Sequence, residues 1–237
     1  MTFFQSYFAQ FRTHIRKGNR MKILILGGTG RTGKELIKEA LKRDFEVNAI
    51  VRDAAKLSTH SRLTIWEGDV RDSGLLSEAM DGCQAVLSCL NISRNSDFPW
   101  ARLRTPERFL EDTLRSVQKV MDQKGIKRLI ITSAWGVGDS RAEIPAWFGW
   151  FIDYSNVGKA YAQHEVQEAM LANSELDWTA VRPVGLTNGK RLKKLITSLK
   201  GTPKPKLTIS RKHTAKFMVD ILSDAKYIKA TPVISEK

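Results

Sequence analysis

Cysteine is nearly absent from this 237-residue chain, which carries only Cys83 and Cys89. Two thiols six positions apart, in and beside the apolar stretch "CQAVLSCL", make neither a disulfide framework nor a metal site. They are expected to be buried thiols in a reducing compartment, which points to a cytoplasmic location. No apolar run approaches the ~20 residues that a membrane span needs. The first twenty residues also lack the continuous apolar core of a secretory signal. There is no internal repeat and no low-complexity linker. His14, His60 and His213 show no ligand spacing with each other or with the cysteines, so no metal site is expected.

Acid is missing from two stretches. Residues 1–20 hold Arg12, Arg16, Lys17 and Arg20 without an acid, and residues 190–216 hold ten Lys or Arg without one. The formal net charge is +14. Such a field draws phosphates, acidic small molecules, nucleic acid or anionic lipid, and does not choose among them. Nucleic acid is disfavoured, because 190–216 lacks interleaved aromatics and any recognised module. In residues 1–20, Phe3, Phe4, Tyr7, Phe8, Phe11 and Ile15 fall at helical spacing. A membrane-surface helix, a transit peptide, a helix docked on its own domain or on a partner, and an upstream start before Met21 all fit that pattern.

What is present is apolar content, 42%, enough to fill a core. From Lys22 onward, strands and helices alternate. "KILILG", "FEVNAIV", "RLTIWEG", "AVLSCL", "RLIITS", "DWTAVRP" and "KLTIS" read as strands. Helices are predicted over 31–43, 73–80, 104–124, 156–172 and 212–223, with a short one inside 190–206, while 134–153 reads as irregular. Strands alternating with helices imply an α/β fold with a doubly wound parallel sheet.

The first strand ends in "GGTGRTG", with Gly27, Gly30 and Gly33 three apart. Gly27 lets the strand turn tightly, Gly30 lets backbone approach a pyrophosphate, and Gly33 lets the next helix pack close. Thr29, Arg31 and Thr32 complete the turn, and the helix start offers free N–H groups to the anion. This predicts a Rossmann-type dinucleotide site. An NAD site usually carries an acid at the end of the second strand, bonding the ribose 2′-hydroxyl. Here Val51 stands there and Arg52 follows. Arg31 and Arg52 favour a 2′-phosphate, hence NADP(H) over NAD(H). Asp53 opposes this if the register is off by one.

"GGTGRTG", "VNAIVRD", "EGDVRD", "RLIITSAWG", "DWTAVRPVGLTNG" and "ISRKHTAKFMVDIL" occur in an order that resembles the atypical short-chain dehydrogenase/reductases, of the NmrA-like and biliverdin-IXβ/flavin-reductase-like group. The resemblance covers essentially residues 21–224. It implies that Asp69 and Val70 lie against the adenine and Asn91 beside the ribose and pyrophosphate. It implies that Ser133 faces the nicotinamide. Pro183 and Val184 would pass the carboxamide, bonded through the backbone of Val184 and its neighbours. Residues 1–20 are then an extension, helical or disordered. Residues 21–237 form a single NAD(P)-binding domain with a small substrate lobe from about residue 184.

Short-chain dehydrogenases normally use a Tyr-x-x-x-Lys helix, whose tyrosine protonates the carbonyl. Aligned from "DWTAVRP", those positions hold Ala160 and His164, and Tyr161 is one place off, about 100° around the helix. In this the chain resembles the flavin- and biliverdin-reducing members, where a Ser and a His accompany the cofactor, and the resemblance implies Ser133 and His164 as the catalytic pair, with His164 able to titrate near neutrality. The other reading is that His164 only bonds a ribose or water.

Phe98, Trp100, Trp135, Trp147, Phe148, Trp150 and Phe151 follow strand ends, where ligands bind in parallel sheets. They suit a flat conjugated substrate, or else they pack the loop onto the domain or a partner. Arg94, Arg102 and Arg104 can attract a carboxylate or phosphate, or are surface charges. Two functions fit. One is an NADPH-dependent reductase acting on a flavin, quinone or tetrapyrrole. The other is a non-catalytic NADP(H) sensor of NmrA type acting on a protein partner.

Overall fold

A computed structural model describes residues 20–237. The aromatic pattern of residues 1–19 lies outside the described residues. β1 (Lys22–Leu26) is apolar along its length because both faces of the sheet are covered. Its side chains divide by the two-residue period of a strand: Ile23 and Ile25 enter one core, Leu24 and Leu26 the other. Beyond β1 run α1 (Arg31–Lys42), β2 (Glu46–Val51), β3 (Leu63–Glu67), α2 (Ser73–Ala79), β4 (Ala85–Ser88), α3 (Phe109–Lys124) and β5 (Arg128–Thr132). Then come α4 (Ala146–Asp153), α5 (Val157–Ala172), β6 (Asp177–Pro183), β7 (Gly185–Thr187), β8 (Leu195–Ser198), β9 (Thr208–Ser210), α6 (Arg211–Asp220) and β10 (Val233–Glu236).

The main sheet has the order β3-β2-β1-β4-β5-β6-β10-β8 and is parallel except for β8, which runs antiparallel to β10. The fold is thus the expected Rossmann-type α/β sheet. Strand order reverses between β1 and β4, and a cleft at that reversal is where such sheets hold ligands. Leu36, Ile37 and Ala40 of α1 pack with Phe217 and Met218 of α6 on one face. Leu76 of α2 and Leu110, Leu114, Val117 and Met121 of α3 cover the other. Each such side chain, fully buried, contributes roughly 1.5–3 kcal/mol.

Local chemistry sets the boundaries. The Asp72 carboxylate caps α2 by accepting from the Gly74 and Leu75 amides. Gly125, at φ 68°, ends α3 in the left-handed region. α3 begins at Phe109 rather than at the predicted 104, because Pro106 lies outside the helix and residues 104–106 turn toward the cleft. Within 134–153, read as irregular, a 3₁₀ turn (Gly138–Glu143) and α4 form instead. The short helix expected within 190–206 is absent. Residues 195–198 are β8, held by antiparallel pairing to β10, a final strand the sequence pattern did not reveal.

Candidate functional site: a cleft at the carboxyl edge of the sheet

A cleft of about 960 Å³ opens where β1 and β4 diverge, at the upper end of the usual range for ligand pockets. Gly27, Thr29, Gly30, Arg31, Thr32, Arg52, Asp69, Val70, Asn91, Ser133, His164, Pro183 and Val184 all line it. Gly33, the remaining residue of the expected set, stands behind the turn. A Cβ there would sit 2.1 Å from the Gly27 carbonyl oxygen. Gly27 has φ +79°, and a Cβ on it would come within 3.0 Å of the Cys89 backbone. These two glycines bring the start of α1 against β1 and β4. α1 has no side-chain cap and no acid in its first turn, so its N–H groups keep their positive character. The cradle fits a diphosphate.

Part of the cleft lining is cationic. Arg31 makes a bidentate pair with Asp97 at 2.8 and 3.2 Å, both side chains exposed. Arg52, after the carboxyl end of β2, also lines the cleft and acts electrostatically on Asp69 without forming an ion pair with it. Asp53 is turned away: its carboxylate accepts from the Ala55 amide and pairs with Lys56 at 2.8 Å. Asp69 is clasped by Arg71, whose hydrogen bonds hold its carboxyl below the usual range. Trp135, Phe148 and Tyr161 also wall the cleft.

Behind the cleft wall, reached through Ser133, lies a largely buried polar chain that sequence reasoning missed. The Ser133 hydroxyl donates to Glu168 Oε1 at 2.5 Å. Arg182 grips Glu168 through Nε at 3.0 Å and through Nη2, and reaches Asp139 through Nη1. Two signals were available: Arg182 interrupts the apolar strand "DWTAVRP", and Glu168 lies four positions beyond His164, on the same helix face. A charge inside a buried strand demands a partner.

His164 is buried, and its Nδ1 has no hydrogen-bond partner. Burial pushes its pKa down to about 4. This corrects the expectation of titration near neutrality: the imidazole stays neutral there because the charged form would lose its solvation. No hydrogen bond joins it to Ser133, so the structure brings the expected pair to one cleft without coupling them. Tyr161 donates to the Trp135 carbonyl oxygen at 3.1 Å, and burial pushes its phenol up to about 12. The Val184 amide, expected to face a carboxamide, donates instead to the Ile234 carbonyl at 3.2 Å. Burial raises both thiols to about 12, which leaves neither reactive.

The His164 shift makes a pH prediction. The folded state binds the proton about 2.5 units less readily than the unfolded state, judged from 6.5 against 4. Unfolded chains therefore hold more protons in that window, and stability rises with pH through it. His164→Asn is expected to remove about 3 kcal/mol of the loss between pH 6.5 and pH 4. Urea unfolding of both proteins across that range checks it; parallel pH curves refute it.

The family described as NAD(P)H-binding matches residues 27–225, and the chain belongs to it. Its fold is that of atypical short-chain dehydrogenase/reductases, and curated relatives are oxidoreductases. Oxidoreductase aflX of Aspergillus parasiticus is 30% identical over 176 residues, 69% of this chain and 65% of that protein. Oxidoreductase GME11367 of Pestalotiopsis microspora is 27% identical over 183 residues, 69% of this chain and 66% of that protein. The match thus spans about two thirds of these relatives' length. Among solved structures, a short-chain dehydrogenase/reductase of Veillonella parvula in complex with NADP superposes with TM-score 0.74 at 21% identity, covering 91% of this chain and 94% of that one. ChuY of Escherichia coli O157:H7, described as an anaerobillin reductase, gives 0.71 at 18%, covering 91% and 97%. At these identities the likeness is one of fold.

Proposed function

We propose that the protein is an NADPH-dependent reductase acting on a flat conjugated acceptor of flavin, quinone or tetrapyrrole type. The observation that carries this is one cleft lined both by cations, Arg31 and Arg52 among them, and by the rings of Trp135, Phe148 and Tyr161. When bound, the nicotinamide supplies a hydride from C4, and the acceptor takes its proton from water. The chain's own residues position and shield. The glycine turn holds the diphosphate against the amides of α1. Arg52 meets the 2′-phosphate, Asp53 being paired with Lys56 and Asp69 being held by Arg71. The rings stack on the acceptor and cover one of its faces. Hydride transfer to a conjugated system needs positioning more than acid catalysis. In the same reading residues 21–237 act as one nucleotide-binding unit. Its small lobe, from about 184, includes the β7–β9 ribbon, a two-stranded sheet of its own.

A second reading, an NADP(H)-binding sensor that acts on a protein partner, is favoured by one fact. The expected donors are otherwise engaged: Tyr161 serves a carbonyl, Ser133 serves Glu168, and His164 is neutral.

NADPH oxidation with FMN, quinones and biliverdin tests the pair of readings. Turnover supports the reductase; tight NADPH binding without turnover of any acceptor supports the sensor. Arg52→Ala is expected to weaken NADPH by about tenfold, since a charge-assisted hydrogen bond contributes roughly 1.5–3 kcal/mol, while NADH binding is unchanged. Calorimetry showing an equal loss for both coenzymes would remove the 2′-phosphate assignment.

A further inference from the structure

The ring-lined part of the cleft continues onto the surface. Phe148, in the cleft wall, stacks on Phe151 at 6.1 Å and touches Trp147 at 5.5 Å. Phe151 meets Trp100 edge-on at 6.2 Å, and Trp100 meets Phe98 at 5.4 Å. The Trp100 indole N–H donates to the Tyr154 carbonyl at 2.7 Å, which ties the 98–100 loop to the end of α4. The outer members are open to solvent: Phe98 62%, Trp100 48%, Trp147 64%, Trp150 58% and Tyr154 65% exposed. Trp147, Trp150 and Tyr154 stand at helical spacing along one side of α4 and its end. A contiguous exposed strip of this kind marks an interaction surface. Its residue types are those that favour the boundary between water and lipid.

The basic stretch of the sequence, which the proposed chemistry does not use, lies on the same edge. Residues 188–194 connect the β6–β7 end to the start of β8. β8 is antiparallel, with Leu195 paired to Glu236 at the carboxyl end of β10, so the loop stands at the carboxyl edge of the sheet. The aromatic segments follow the carboxyl ends of β4 and β5, on that same edge. Lys190, Arg191, Lys193 and Lys194 are all exposed and meet no acid among the described residues. Of the acids near the rings, Asp97 is taken by Arg31, Asp153 by Arg141 and Asp139 by Arg182, while Glu143 accepts from the Trp135 indole N–H. Arg94, Arg102, Arg104 and Lys159, beside the rings in sequence, have no acid partner among the described residues.

We propose that this edge of the molecule docks on an anionic lipid surface, with the aromatic strip entering the headgroup boundary and the 190–194 loop held against lipid phosphates. Charge decides between this and a second copy of the chain: at +14 formal charge, two copies repel, whereas an anionic bilayer attracts. The docking does not depend on the hydride chemistry proposed above. It leaves the chain peripheral, since no described helix is long and apolar enough to cross a membrane.

The full-length protein is sedimented with vesicles of phosphatidylcholine alone and of phosphatidylcholine mixed with phosphatidylglycerol. It is expected to travel with the mixed vesicles only, and to be released by high salt. Trp147→Ser/Trp150→Ser and Lys190→Glu/Lys193→Glu should each weaken that binding by about tenfold or more. All four side chains are exposed, and brominated phosphatidylcholine gives a second reading without variants, by quenching wild-type tryptophan emission. Failure to travel with anionic vesicles, unquenched emission, or full binding by both double variants overturns the proposal. So does a dimer in sedimentation velocity that Trp147→Ser/Trp150→Ser dissociates, which would assign the strip to a second copy. Preferential retention of an oligonucleotide by the 190–194 loop would overturn it as well.

Discussion

Gly33→Ala is expected to abolish measurable NADPH binding and to lower the stability of the whole chain by about 3 kcal/mol or more. The reason is steric and local. The added Cβ would lie 2.1 Å from the Gly27 oxygen, 2.8 Å from its carbonyl carbon and 2.9 Å from Gly28 Cα. All three are backbone atoms of the turn, so no side chain can rotate out of the way. Either α1 moves off β1 or the turn opens. In the first case Leu36, Ile37 and Ala40 lose their packing against α6; in the second, the amides no longer converge on one anion. Overpacking in a rigid site costs about 1–3 kcal/mol where side chains can adjust, and more where only backbone can. Gly30→Ala is the control for stability alone, because its Cβ would come no nearer than 3.2 Å to any protein atom, the Gly27 oxygen, although it would still crowd a bound diphosphate. Thermal unfolding should separate the two variants clearly, and calorimetry with NADPH reads the loss of binding in Gly33→Ala. Wild-type affinity in Gly33→Ala would sink the phosphate turn.

Arg182→Met is expected to destabilise the protein by about 3–5 kcal/mol, because it leaves Glu168 charged and buried without its counter-ion. At roughly 2–4 °C per kcal/mol for a chain of this size, the melting temperature should fall by about 10 °C. The side chains of Arg182 and Glu168 are only 4% and 10% exposed, so water cannot replace the lost partner. The Ser133 hydroxyl, which donates to the same carboxylate, cannot neutralise it. If the cost is the orphaned charge, then Arg182→Met/Glu168→Leu should recover most of the loss, since no ion stays buried. Equal melting temperatures for the single and double variants would place the effect in packing instead. The double variant also frees Ser133 to donate into the cleft, so a changed pH profile or KM with an identified acceptor would show that its present bonding matters.

The glycine turn was legible because Gly27 and Gly33 answer backbone requirements that no other residue meets. Val51 and Arg52 were legible for a similar reason, since they occupy the end of a strand whose register follows from its apolar run. His164 shows where such reading stops. Its position on the cleft-side face of α5 follows from helical spacing, but its protonation depends on how closely its neighbours from other elements enclose it. The Ser133–Glu168–Arg182 chain was hidden because its members are 35 and 14 residues apart and meet only when β5, α5 and β6 pack. The false helix in 190–206 and the unseen β10 share one cause: a short segment takes its structure from the neighbour it pairs with.

Period and turn chemistry, which are local, were enough to determine the alternation of strand and helix, the order of the early elements and the phosphate turn. Which side chains share a hydrogen bond, which imidazole loses its charge, and which rings come to the surface at the carboxyl edge depended on tertiary packing. Those properties arise between elements distant in sequence, in a low-dielectric interior whose shape no single segment contains.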